Sequence, residues 1–163
     1  SKRFEPYSFD IKNLADRGEV FTDNRDTNIL NSIDVAKLIQ TDFKAISVSN
    51  NLEELVEKIQ QSDADIFPVL DEKNRLLGLI LLDEVRPIVF SPFKVKYTST
   101  DEIMQPPKEI IFYDETLETI MEKFDASECK VLPVLKNGIF LGFMYKQLIL
   151  EKYRHRLKSM IIE

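Results

Sequence analysis

The chain has 163 residues, 44% of them hydrophobic and 31% charged, and its formal net charge at pH 7 is −6. This is an ordinary globular composition, long enough for one domain or two small lobes. The negative charge argues against DNA or RNA as a partner, because nucleic-acid affinity depends on Lys and Arg side chains that meet phosphates. It argues in the same way against direct binding to an anionic lipid surface.

Cysteine and histidine are scarce, with one of each, Cys129 and His155. A single cysteine excludes a disulfide framework within one chain and is typical of a reducing, cytosolic compartment. The same scarcity excludes a zinc site built from several Cys and His ligands. The longest apolar run, residues 76–82, is far shorter than the roughly 20 residues that cross a bilayer. Because the chain starts at Ser1 without a signal peptide or an initiator Met, we expect a fragment of a longer protein.

An irregular lead-in is expected at the N-terminus, because residues 1–31 are polar and carry few periodic apolar positions. The rest of the chain divides into two copies of one unit, joined by a linker at residues 91–98. The first copy is expected at residues 32–90. The second, which closes with a long helix, is expected at residues 99–163.

The two copies align at an offset of 65 residues. Residues 67–70, with the sequence Phe-Pro-Val-Leu, match residues 132–135, with the sequence Leu-Pro-Val-Leu. The apolar helix positions Leu52, Leu55, Val56 and Ile59 match Leu117, Ile120, Met121 and Phe124. So many ordered matches indicate an internal duplication.

Each copy is predicted to contain a strand, a helix, two further strands and a closing helix. The helices carry apolar residues at positions i, i+3, i+4 and i+7, the spacing of one buried stripe. Asn51 and Glu54 are spaced as a capping pair at the start of the first helix. Pro68 and Pro133 donate no backbone hydrogen bond, so their strands are expected to have a free side at the proline, at a sheet edge or near a cleft. The predicted strands are residues 45–48, 66–70, 76–81, 110–113, 131–135 and 140–145.

Two short motifs recur in both copies. They are Ile-Phe-Pro-Val-Leu-Asp at residues 66–71 with Leu-Gly-Leu-Ile at 77–80, and Val-Leu-Pro-Val-Leu at 131–135 with Leu-Gly-Phe-Met at 141–144. This pattern resembles a pair of cystathionine-β-synthase (CBS) domains, or Bateman module, over roughly residues 32–157. The resemblance implies an α/β (α+β) fold of two β-α-β-β-α repeats, related by a pseudo-two-fold axis. It also implies small three-stranded sheets, clefts between the repeats and a homodimer formed through helices.

A narrower resemblance comes from four segments. Residues 6–8 and 12–19, together with residues 81–86 and 104–107, are similar to the cytoplasmic region of bacterial ClC-family chloride channels and transporters. This implies a covalently attached transmembrane channel domain and a place on the cytoplasmic face of the inner membrane. The alternatives are a CBS pair from another membrane transporter and a free-standing sensor.

CBS pairs often bind adenine nucleotides, with a Ser or Thr hydroxyl near phosphate and an Asp near the ribose at the end of the third strand. This chain departs from that pattern in both copies. The hydroxyl positions are Leu81 and Tyr145, and the acid positions are Glu84 and Leu148. Because Leu148 accepts no hydrogen bond, its cleft is expected to have lost ribose recognition.

The resemblance implies one weak site for ATP, ADP or AMP, in which Glu84 replaces the Asp and Lys130 meets a phosphate. The candidate ligand-binding residues are Asp83, Glu84, Pro107, Cys129 and Lys130 for this cleft, and Thr41, Asp65 and Gln147 for the poorer one. The competing interpretation of Glu84 is a carboxylate that stabilises a helix N-terminus. The exposed-edge interpretation of Lys130 and the buried-hydrophobe interpretation of Cys129 stay open in the same way.

No catalytic residues, metal ligands or required cofactor are expected, because no nucleophile elbow, phosphate-binding glycine loop or His-based system is present. The leading function is therefore a regulatory module that senses adenine nucleotides and modulates an attached channel. The alternatives are a structural dimerisation module without a ligand and a module that senses divalent cations. Aromatic residues outside the motifs, namely Phe90, Phe93, Tyr97 and Phe112, are expected in the core or in dimer contacts.

Overall fold

The structure is a computed structural model that describes residues 24–162. The ClC-like segments at residues 6–8 and 12–19, and most of the expected lead-in, lie outside the described residues. The helices are α1 Asn24–Asn31, α2 Leu52–Gln60, α3 Leu82–Val89, α4 Pro92–Tyr97, α5 Thr100–Ile103, α6 Leu117–Ser127 and α7 Lys146–Ile162, with a 3₁₀ helix at Val35–Leu38. The strands are β1 Ile46–Ser47, β2 Ile66–Leu70, β3 Leu76–Leu81, β4 Ile111–Phe112, β5 Val131–Lys136 and β6 Ile139–Tyr145.

Within residues 24–162 the strands form two three-stranded sheets, ordered β1-β2-β3 and β4-β5-β6. In the first sheet β1 runs parallel to β2, and β2 runs antiparallel to β3. Each sheet is accompanied by the helix that follows its first strand and by the helix that follows its third. The predicted fold class, an α/β architecture with two small three-stranded sheets, is confirmed.

The duplication is visible in matching hydrogen bonds. Lys58 Nζ donates to the carbonyl of Ala45 at 3.0 Å, and Lys123 Nζ donates to the carbonyl of Ile110 at 2.7 Å. Both lysines therefore tie the middle helix of a repeat to the residue that precedes its first strand. The α2 N-terminus has the predicted capping box: Asn51 and Glu54 exchange two hydrogen bonds of 2.9 Å.

The proline-bearing strands do not lie at a sheet edge, because β2 and β5 are the central strands of their sheets, but the expected free side is present at Pro68. The length of β1 explains how Pro68 is accommodated. The two residues of β1 pair with Val69 and Leu70, so β1 does not extend as far as Pro68. The only strand partner of Pro68 among the described residues is Leu79 of β3. Proline has no N–H to donate, so it needs a side on which no neighbouring strand requires a backbone donor, and the shortness of β1 provides that side.

The chain separates into two compact units. The first-repeat unit contains residues 40–108 and 135–142, and the second-repeat unit contains the described parts of residues 1–39, 109–134 and 143–163. The leading segment of each repeat therefore belongs to the unit of the other repeat. Helix α5, from the second repeat, is part of the first-repeat unit, and the 3₁₀ helix, from the first repeat, is part of the second-repeat unit.

The core of the first-repeat unit is apolar and almost fully shielded from solvent. Its buried members come from β1, α2, β2, β3 and α3, and they are Ile46, Leu52, Leu55, Phe67, Val69, Ile80 and Val85. The borrowed helix α5 is held by Thr100, whose buried Oγ1 donates to the carbonyl of Asn50 at 2.7 Å. A buried hydroxyl needs such a partner, so this bond fixes where α5 begins.

The second-repeat unit includes α1, within the segment expected to be irregular. Ile29 and Leu30 of α1 are buried. Polar bonds hold the helix to α6 and α7, since Thr27 donates to Glu118 at 2.8 Å and the Tyr153 hydroxyl donates to buried Asp26. The apolar residues of α1 therefore have a core to bury against, which sequence periodicity over so short a helix did not indicate.

The turn between β2 and β3 is built around Asp71. Its carboxylate accepts hydrogen bonds from the backbone N–H groups of Lys73 at 2.8 Å and Arg75 at 2.9 Å, and from Arg75 Nε at 2.7 Å. The backbone N–H of Arg75 contributes most to holding the pKa of Asp71 below its ordinary value of 3.8. The tip of the β5-β6 hairpin joins this turn, because the N–H of Phe140 donates to the carbonyl of Asn74 at 2.9 Å.

The two matched lysines predict unequal effects on stability. Lys123 also pairs with the carboxylate of Glu115 at 2.9 Å and lies over the Phe112 ring at 4.7 Å, whereas the equivalent of Glu115 near Lys58 is the uncharged Asn50. We expect Lys123→Met to lower the free energy of unfolding by about 2 kcal/mol and Lys58→Met by about 1 kcal/mol.

Urea denaturation of the two variants and the wild type measures this difference. Equal losses for both substitutions would contradict the role assigned to Glu115.

Candidate functional site

Glu84 lies in the first turn of α3, which begins directly after β3. The start of the helix is fixed by the backbone N–H of Leu82, which donates to the carbonyl of Asp65 at 2.9 Å. A carboxylate in a first helical turn is favoured by the unpaired N–H groups there. The side chain of Glu84 is exposed, so it is accessible from solvent.

Gln105 is the residue that the structure places against Glu84. Its Nε2 donates to Glu84 Oε2 at 2.6 Å. Its backbone is seated on β3, because it exchanges two hydrogen bonds of 2.9 Å and 2.8 Å with Leu79. Sequence reasoning missed Gln105, although it lies in the Met-Gln-Pro-Pro segment at residues 104–107 that carries part of the ClC resemblance.

Gly78 explains why this segment lies so close to β3. A Cβ at this position would lie 3.1 Å from Met104 Sδ and 3.2 Å from the carbonyl oxygen of Gln105. The backbone oxygen cannot move away without breaking its bond to Leu79. The absence of a side chain at Gly78 therefore permits the pairing that brings Gln105 beside Glu84.

Other predicted residues of the first-repeat unit have more ordinary surroundings. Asp83 is exposed and pairs with Arg86 three residues further along α3, at 2.7 Å. An exposed pair of this kind contributes little to stability. Pro107 is half-buried and follows Gln105 closely, whereas the side chains of Thr41 and Asp65 are exposed.

The remaining predicted residues belong to the second-repeat unit. Cys129 is half-buried, and its N–H donates to Ser127 Oγ at 3.2 Å. The side chain of Lys130 is exposed, and its carbonyl accepts from the N–H of Lys146 at 3.0 Å. Gln147 is exposed in the first turn of α7.

The structure therefore brings Glu84 together with the segment that contains Pro107. Asp65 adjoins the same strand-to-helix junction through its backbone. The grouping of Cys129 and Lys130 with Glu84, and of Gln147 with Thr41, stays a prediction. The aromatic residues expected in the core or in dimer contacts are not core residues, since Phe90, Phe93, Tyr97 and Phe112 are 83%, 71%, 64% and 49% exposed.

The described part of the chain has neither a group of metal-ligating side chains nor a membrane-spanning helix. Among residues 24–162, no three His, Cys, Asp or Glu side chains are grouped so that they could hold a metal ion. No helix within the same range is both long enough and apolar enough to cross a membrane.

The comparison with protein families identifies the family of the first repeat. Residues 35–90 match the family model of the CBS domain. These residues are a CBS domain. CBS domains are regulatory modules and generally have no catalytic activity. Because the second repeat has the same strand order and the equivalent lysine tie, the chain has the fold of a tandem CBS module.

Several solved structures share this fold. Protein MJ1004 from Methanocaldococcus jannaschii is 22% identical with a TM-score of 0.65, and the match covers 77% of this chain and 60% of that one. This chain thus spans less than two thirds of MJ1004. CbpB in complex with c-di-AMP is 16% identical with a TM-score of 0.69, over 84% of this chain and 95% of that one.

The CBS domain of the bacterial CNNM/CorC family Mg²⁺ transporter, in complex with ATP, is 14% identical with a TM-score of 0.68. That match covers 80% of this chain and 93% of that chain. At these identities the likeness shows the fold alone. No curated protein sequence matches this chain.

The contact at Gly78 generates a prediction. We expect Gly78→Ala to destabilise the module by about 1–3 kcal/mol, because the new methyl group would push residues 104 and 105 away from β3. Amide hydrogen exchange should show faster exchange at Leu79 and Gln105.

Gly138→Ala is the matched control. Gly138 has a positive φ of 83° and nothing within 4 Å of an added Cβ, so this variant imposes backbone strain without a clash. If Gly78→Ala left both amides as protected as they are in Gly138→Ala, the proposed clash would be wrong.

Proposed function

We propose that this chain is the regulatory CBS module of a ClC-type chloride channel or transporter, that it senses adenine nucleotides, and that it modulates ion transport from the cytoplasmic face of the inner membrane. The observation that carries the sensing half is the position of Glu84. It stands where the CBS pattern has its ribose-binding acid, on an exposed helix turn held by Gln105.

The nucleotide half of the proposal assigns separate roles to two side chains. Glu84 accepts hydrogen bonds from ribose hydroxyls, and Lys130, which is exposed, meets a phosphate. The solved CBS structures in complex with ATP and with c-di-AMP support this ligand class. With Leu148 at the acid position of the second copy, one site per chain is proposed.

The transporter half is supported by the ClC-like segments at residues 81–86 and 104–107, which lie at the α3 start and in the segment that pairs with β3. The CBS domain of a Mg²⁺ transporter has the same fold, which supports attachment to a membrane transport protein. The gene sequence upstream of Ser1 tests this half. Hydrophobic spans of the ClC type support it, and a different upstream domain contradicts it.

We also propose a homodimer formed through α3 and α4. The end of α3 and the face of α4 expose three aromatic rings, Phe90, Phe93 and Tyr97. The rings of Phe93 and Tyr97 contact each other with centroids 4.7 Å apart, so they present one joined apolar surface. Burial of such rings against a second copy would remove a large apolar area from water.

Charge favours a second copy as the occupant of this surface. Between residues 85 and 100 the chain has three basic residues and no acidic one, and two of them, Lys94 and Lys96, are on α4. Helix α2, which contacts α4, carries Glu53, Glu54 and Glu57 on exposed positions. In a two-fold dimer each basic helix would meet an acidic helix of the partner.

A structural dimerisation module without a ligand is the second candidate function. The observation that favours it is the loss of the expected hydroxyl at Leu81 and Tyr145 and of the acid at Leu148. This candidate keeps the dimer and abandons the nucleotide site.

Isothermal titration calorimetry with ATP, ADP and AMP tests nucleotide sensing. We expect binding with a dissociation constant below the millimolar range, a higher melting temperature with nucleotide, and at least tenfold weaker binding in Glu84→Ala and Lys130→Ala. A melting shift with magnesium alone, reversed by EDTA, would instead indicate a cation sensor. Silence of the wild type at millimolar nucleotide would reject sensing and leave structural dimerisation.

Sedimentation equilibrium tests the dimer surface. We expect Phe93→Asp to raise the dimer dissociation constant at least tenfold, because it buries a charge at the centre of the aromatic surface. Val48→Asp is the control, since Val48 is an exposed hydrophobe of the same unit that follows β1 and belongs to neither α3 nor α4. Equal association of both variants would show that the aromatic surface is not the interface.

A further inference from the structure

We infer that Gln105 is the positioning residue of the nucleotide site, and that it fixes the carboxylate of Glu84 so that the carboxylate can receive ribose hydroxyls. This inference rests on the proposed nucleotide-sensing function. It assigns a role to a side chain that neither the CBS pattern nor the candidate list derived from the sequence includes.

The first step is that the backbone of Gln105 is immobilised. Two hydrogen bonds to Leu79 attach it to the edge of β3, and the absence of a side chain at Gly78 lets the segment lie directly against that strand. The next residues are Pro106 and Pro107, whose fixed φ angles restrict the chain further. The side chain of Gln105 therefore starts from a defined place.

The second step concerns the carboxylate itself. The bond from Gln105 Nε2 to Glu84 Oε2, at 2.6 Å, joins a neutral donor to a charged acceptor, which makes it stronger than a bond between neutral groups. It uses Oε2 and leaves Oε1, on the exposed side chain, without a partner among the described residues. One oxygen holds the geometry while the other faces solvent.

The third step explains why this chain needs such a residue. Glutamate has one more rotatable bond than the aspartate of the CBS pattern, so an unrestrained Glu84 would sample more positions and lose more conformational entropy on binding. Gln105 removes that freedom in advance. The second copy has Leu148 at the acid position, so it has no carboxylate to position.

Substitution of Gln105 tests the inference in the intact chain. We expect Gln105→Leu to bind ATP about fivefold to tenfold more weakly than the wild type, the loss expected when one hydrogen bond that orders the site is removed. Gln60→Leu is the matched control, because Gln60 is an exposed glutamine at the end of α2 and should bind as the wild type does.

A charge exchange separates positioning from general stabilisation. Gln105→Glu places two carboxylates together and should lower both the melting temperature and the affinity for ATP. The double variant Glu84→Gln with Gln105→Glu rebuilds the bond with the opposite polarity. It should recover the melting temperature while ATP binding stays weak, because the carboxylate is then on the wrong residue.

A readout without nucleotide completes the test. In ¹H–¹⁵N spectra the chemical shifts of the Gln105 side-chain amide should change in Glu84→Ala. They should stay unchanged in Asp83→Ala, which removes only the neighbouring carboxylate.

The outcomes separate the inference from the proposed function. If the wild type binds ATP and Gln105→Leu binds it equally well, the inference is overturned and nucleotide sensing stands. If the wild type binds no nucleotide, the proposed function and the positioning role are both overturned. If the chemical shifts of the Gln105 side-chain amide do not change in Glu84→Ala, the pair does not exist in solution and the inference is overturned whatever the affinity for ATP.

Discussion

The backbone contact between Gly78 and the segment at residues 104–105 is the constraint on which the arrangement of the first-repeat unit depends. It allows the leading segment of the second repeat to hydrogen-bond along β3 at Leu79. Because α3 begins directly after β3, the same contact places Gln105 beside Glu84. The absence of a side chain at Gly78 thus permits both the pairing at the sheet edge and the contact between Gln105 and the proposed ligand-binding carboxylate.

The duplication supplies the framework, and the differences between the copies are where function can be sought. Lys58 and Lys123 make the same tie to a backbone carbonyl, which requires only a long cationic side chain at one helix position. In contrast, Glu84 and Leu148 occupy matching places and have opposite chemistry. A carboxylate in one copy and a hydrocarbon in the other support the proposal of ligand chemistry at only one of the two positions.

Predictions from local patterns succeeded where a local interaction decides the structure. The capping pair of Asn51 and Glu54 forms because both partners lie within one helical turn. The free side expected at Pro68 is present, but in a central strand, because β1 does not extend as far as Pro68 and the residue pattern does not show how far a neighbouring strand extends. Phe90, Phe93 and Tyr97, which were expected in the core or in dimer contacts, are exposed in the single chain, because the burial of a hydrophobic side chain depends on what packs over it.

The sequence by itself determined the duplication, the β-α-β-β-α order within each repeat, the CBS resemblance and the departure from the nucleotide pattern at Glu84 and Leu148, since all of these depend on residue type and spacing along the chain. The tertiary structure decided which segments share a unit, why position 78 accommodates a glycine, and that Gln105 contacts Glu84. That pair is 21 residues apart in sequence, and no periodicity connects them. Contacts between distant segments are fixed by how the sheet edge is covered, and that is a property of the folded chain alone.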